Sequence, residues 1–119
     1  MPDEKPTTAV HENTREMVKE ARVKVGELRD AEDLTPKQMN LVDTAYALLV
    51  DLEDLLVLAN LKASVERLQD KADQLGTINA NLKKSVGKLK KVAKDVGDAA
   101  KAVGVLVEIV AKASAAGLL

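Results

Sequence analysis

The chain has 119 residues, 46% of them apolar and 31% charged, which is enough for one folded domain and too apolar for a disordered one. Its 18 Lys and Arg against 19 Asp and Glu leave a net charge of −1, so bulk attraction to nucleic acid or to an anionic membrane is not expected, local charge being another matter. The lack of cysteine excludes disulfides and thiolate metal sites, and one Tyr with no Phe or Trp demands an aliphatic core, which suits helix packed on helix.

Residues 1–7 carry two prolines and mixed charge without periodicity, so they are expected to form a flexible tail. The opening "MPDEKP" has no apolar signal core, which makes the cytoplasm the default expectation, though secretion without a signal would leave no such mark. A first helix is expected over about 9–31, with Thr8 as its N-cap and Val10, Met17, Val18, Ala21, Val25 and Leu28 as its apolar stripe. The next start signal is "LTPKQM". Thr35 is placed as an N-cap, Pro36 as the first helical residue, Gln38 as the far side of a capping box, and Leu34 with Met39 as a hydrophobic staple.

No proline follows, and a heptad runs on from Leu61. Its d positions are Leu61, Leu68, Leu75, Leu82, Leu89, Val96, Val103 and Val110, and its a positions include Val65, Ala72, Asn79, Val86, Ala93, Ala100 and Val107. Gly76 and Thr77 sit in the middle of this run with its register unbroken, which taken alone favours one long helix through them, since an interior glycine costs only about 1 kcal/mol. The apolar stripe is narrow between 60 and 92 and wide over 41–59 and 93–118, two changes placed symmetrically about that glycine. The symmetry predicts an all-α antiparallel hairpin. Long helices over about 36–75 and 78–117, each some 60 Å in length, would bend at Gly76-Thr77, and the shorter first helix would pack at the base. The fold class expected is thus a three-helix bundle with a projecting coiled-coil arm, a single domain over 8–119.

Little in the chain can do chemistry. The one histidine, His11, has no neighbouring ligand at helical spacing and reads as a surface or capping residue, and Ser64, Ser85 and Ser114 lack a base to activate them. Asp51 and Asp54 have leucines across the helix face and read as a solvated edge. The expectation is therefore no enzyme, no metal and no cofactor.

What remains is surface. Leu48 to Leu58 point in more directions than one hairpin partner and one short helix can cover, so a homo-oligomer, most economically a dimer, is expected. Leu49, Leu56, Val57, Val105 and Ile109 are the expected interaction surface, with a helical protein as the other possible partner. The core at the base is assigned to Leu48, Leu52, Leu55, Val96, Val103 and Val110. Lys84, Lys88 and Lys91 share a face that could meet phosphates or lipid headgroups, although a solvated face balancing an acidic second helix is the simpler reading. Without aromatics or Arg in that face, nucleic acid is not an expected partner. The reading is a non-enzymatic helical scaffold or interaction module that self-associates. Its alternative is a membrane-active protein, pore-forming or lipid-binding, that inserts residues 93–119, a segment in which Lys101, Glu108 and Lys112 oppose ordinary membrane spanning.

Overall fold

The computed structural model describes residues 6–30, 34–57, 61–85 and 87–117. Over these the chain forms four helices: α1 (Pro6–Arg29), α2 (Pro36–Val57), α3 (Leu61–Lys83) and α4 (Lys88–Ala115). Each packs against two neighbours in a closed ring, α1 on α2 and α4, and α3 on α2 and α4, while α2 and α4 touch only marginally across the diagonal.

Ion pairs fix the directions. Asp51 and Lys71 would be about 30 Å apart in one continuous helix, at 1.5 Å per residue. Their carboxylate and ammonium are 3.2 Å apart, so the chain reverses between α2 and α3. Arg29 meets Asp43 at 3.0 Å, and Lys24 meets Asp95 at 3.0 Å, which sets α1 antiparallel to α2 and alongside the first half of α4. The result is an up-down-up-down bundle 50 × 24 × 19 Å in extent.

This overturns the expected hairpin with a projecting arm. The whole molecule is shorter than either of the two 60 Å helices that hairpin required. Its radius of gyration of 15.2 Å is close to the roughly 13.5 Å of a typical domain of this length, as befits a slightly elongated bundle. Gly76 and Thr77 lie inside α3, not at a bend. The Thr77 hydroxyl donates to the Asp73 carbonyl at 3.2 Å, one turn back, as a mid-helix threonine does, instead of capping a new helix. The expected helix over 36–75 is two helices, and the next reversal falls at 84–87, where Gly87 has φ 64.

Local signals account for several boundaries. The capping box at Thr35 is reciprocal: the Gln38 N–H donates to Thr35 Oγ1 at 3.2 Å, and the Thr35 N–H donates to Gln38 Oε1 at 2.9 Å. α1 starts at Pro6, inside the stretch expected to be a tail. Residues 1–5 of that tail lie outside the described residues, as do the side chains of Leu61 and Val86 in the heptad.

The core is aliphatic. Val18, Ala21, Val25 and Leu28 of α1 meet Val42, Ala45, Leu49, Leu52 and Leu56 of α2, with Leu68, Leu75 and Leu82 of α3 and Val96, Val103, Leu106 and Val110 of α4 closing the ring. Enclosing each large side chain contributes about 1.5–3 kcal/mol. Two close approaches are made through glycine. At Gly26 a Cβ would lie 3.3 Å from Cε2 of Tyr46, and at Gly97 one would lie 2.7 Å from Nδ2 of Asn79. The missing side chains let α2 close on α1 and α3 close on α4.

Candidate interaction surface

The groups with chemical potential are spent on structure. His11 places Nε2 against the Leu56 carbonyl, so the imidazole of α1 satisfies one of the carbonyls that the end of α2 would otherwise leave free. Ser64 is buried in α3, and the Ser85 hydroxyl donates to the Asn81 carbonyl at 3.1 Å. Asp51 is held by Lys71. Among the described residues no group of three or more His, Cys, Asp or Glu could hold a metal ion.

Five ion pairs join side chains among the described residues, and three of them tie α1 to its neighbours. Arg22 of α1 grips both carboxylate oxygens of Glu53 on α2, and that hydrogen bond, opposed by partial burial, raises the guanidinium above its ordinary range. The Lys24 ammonium is raised by its hydrogen bond to Asp95 and by the charge of that carboxylate. Arg29 both bonds Asp43 and lies over the Tyr46 ring, with Cζ 4.3 Å from the centroid. None of these pairs was readable beforehand, because each depends on which helices are neighbours.

The residues expected to form an interaction surface are not together. Leu49 and Leu56 are 0% exposed, on the stripe Val42, Ala45, Leu49, Leu52, Leu56 that α2 turns into the core. Val57 is 60% exposed at the end of α2, Val105 is 44% exposed on α4, and Ile109 is half-buried one turn further on. Val23 on α1, at 45%, is a third exposed apolar side chain that the sequence reading did not single out.

Between α1 and α4 runs a groove of about 470 Å³, lined by Ala9, Val10, Met17, Ala102 and Val105, with Asp98 and Lys101 also on its wall. Towards the other end the same helix pair forms a cleft of about 420 Å³ that holds Lys88 and Lys91. Lys84 lies in a separate cleft, with Lys37, Gln38 and Leu41 of α2. The three lysines expected on one face therefore surround the α3–α4 corner instead of lining one helix. Asn79 faces Gly97 in the α3–α4 interface, buried, and its Oδ1 has no hydrogen-bond partner among the described residues.

No protein-family model, no curated protein and no solved structure matches the chain.

Proposed function

We propose that the chain is a non-enzymatic helical interaction module that self-associates through the face formed by α1 and α4. The observation that supports this is the groove between those helices together with what stands beside it. Val105 projects at its edge, and Asp98 and Lys101 supply one charge of each sign. A projecting valine, a hollow, an acid and a base on one face are the elements from which a two-fold, self-complementary contact is built. The leucine-rich run of α2 no longer motivates a partner, because Leu48, Leu49, Leu52 and Leu56 are covered within the chain by α1 and α3. Ile109, one turn beyond Val105 on α4, is left as a secondary contributor, whereas Val57, at the end of α2, lies off this face.

Light scattering across micromolar to millimolar concentration tests the reading, with a dimer expected. Val105→Lys should weaken association about 100-fold or more, since an unpaired charge in a dry interface costs several kcal/mol, while the helical signal of the monomer stays unchanged. A wild-type chain that stays monomeric throughout would overturn the self-association.

Insertion of residues 93–119 into a bilayer, the alternative expected from sequence, would have to pull Val96, Val103, Leu106 and Val110 out of the core. Among the described residues no helix is long and apolar enough to cross a membrane.

A further inference from the structure

Beyond self-association, the distribution of charge points to a second surface. Lys83, Lys84, Lys88, Lys90, Lys91 and Lys94 are all exposed, and together they hold one third of the 18 cationic side chains of the chain. No Asp or Glu occurs from 74 to 94. Five other cations, Arg22, Lys24, Arg29, Lys71 and Lys112, are in ion pairs; among the described residues these six are not, and neither are Arg15, Lys19, Lys37, Arg67 and Lys101, so it is their density in one stretch without an acid that sets the six apart. The acids that a hairpin about Gly76 would have set opposite the lysines, Glu66 and Asp70, instead lie in the first half of α3. Even from Asp73, the last acid of α3, to Lys83 is about 15 Å along the helix, longer than the roughly 8 Å screening length at physiological salt. Of the acids that share a cleft with Lys88 and Lys91, Asp95 is taken by Lys24, which leaves Glu27.

Lys83, in the last turn of α3, suits the dipole of that helix, but stability does not account for the lysines that open α4. Lys88, Lys90 and Lys91 stand in the opening turn of α4, which contains no acidic residue, and Gly87 before it offers no side-chain cap. Cations at that end of a helix work against its dipole, so the local sequence opposes the fold it belongs to. A rule broken without local compensation marks a site that answers to something outside the fold.

We infer that the α3–α4 corner docks the folded bundle onto a membrane bearing acidic phospholipid headgroups, through these six lysines and without inserting a helix. Four to eight clustered lysines are the composition that an acidic leaflet attracts. The corner contains no Arg to read base edges and no aromatic to stack on them, and the sequence pI of about 5.9 is unlike the overall basic charge of a nucleic-acid binder. The whole chain has a net charge of −1, so without these six lysines the rest of the molecule stands at −7 and is repelled by the same surface. The lysine corner, at one end of a 50 Å rod, therefore turns towards it.

The test is cosedimentation of the full chain with vesicles of phosphatidylcholine alone and with added phosphatidylserine, alongside a duplex DNA binding assay and a dye-release assay. Binding is expected only with the acidic lipid, is expected to vanish at high salt, and should release no dye. The triple variant Lys84→Gln, Lys88→Gln, Lys91→Gln should bind about 100-fold more weakly. It should keep the wild-type oligomeric state, so that lost vesicle binding is not lost association. A control triple at exposed positions of α1 and α3, Arg15→Gln, Lys19→Gln, Arg67→Gln, should bind vesicles almost as the wild type does. Equal loss in both triples, binding to neutral vesicles, tighter binding to DNA than to vesicles, or dye release on binding would each overturn the inference.

Discussion

Gly76 and Gly87 stand in the same leucine heptad, and only the second interrupts a helix. At Gly76 the exposed face of α3 is braced on the N-terminal side by side-chain bonds one turn apart, Gln69 to Asp73 at 2.8 Å and Gln74 to Asp70 at 2.9 Å. The glycine then passes as an unremarkable helical residue with open space where a Cβ would be. Before Gly87 the bonding tightens. The Lys84 and Ser85 N–H groups reach back only three residues, to Asn81 and Leu82, and the Ser85 hydroxyl takes the Asn81 carbonyl as well. Gly87 then adopts φ 64, ψ −132, a conformation that side chains with a Cβ resist. A glycine permits a turn; the hydrogen bonds around it decide whether one is made.

Substitutions can break or sharpen this contrast. Gly76→Pro should cost about 3 kcal/mol or more, because the ring removes a hydrogen bond from the middle of α3 and meets the Ala72 carbonyl. Urea unfolding measures it, and a near-neutral effect would mean that α3 is not continuous there. Gly87→Ala should cost about 1–2 kcal/mol for the positive φ, whereas Gly76→Ala should stabilise by about 0.5–1 kcal/mol, so the two glycines should respond with opposite sign to the same change. The beginnings of α2 and α4 differ in a similar way, one closed by a reciprocal capping box and the other without a side-chain cap. Thr35→Ala should accordingly cost about 1 kcal/mol in thermal or chemical unfolding, a loss that no substitution at position 87 can reproduce through side-chain capping.

The heptad explains both how far the sequence could be read and where it misled. Leu68, Leu75, Leu82, Leu89, Val96, Val103 and Val110 are all in the core, as their spacing required. Yet the seven-residue step from Leu82 to Leu89 spans a chain reversal, so the spacing names the inward face and says nothing about whether the helix continues across it. Beside the bend expected at Gly76-Thr77, Asn79 would have been open to solvent. It is buried because α3 continues past it and α4 returns alongside. The reversal between α2 and α3 follows a stretch, 52–58, with no glycine or proline and an unbroken supply of leucine, so no local chemistry announces it. The same surplus made Leu49 and Leu56 look like interface residues. Their spacing from Val42 and Leu52 places them on the core stripe, but that stripe can be recognised only when a third and a fourth helix are available to cover it. The lysine corner was legible as a charge cluster, while its lack of paired acids depended on where the chain turned.

The single tyrosine gives this molecule an unusual optical simplicity. Tyr46 is its one aromatic residue, set between Gly26 and the Arg29 guanidinium where α1 closes on α2. Intrinsic fluorescence therefore comes from one place and senses the seam between the first two helices, whereas far-ultraviolet circular dichroism averages over all four. If the two signals are followed through the same denaturant titration, coincident transitions would mean that the ring of helices opens as a unit. An earlier fluorescence transition would show α1 and α2 parting while α3 and α4 remain helical, with no label or added probe required.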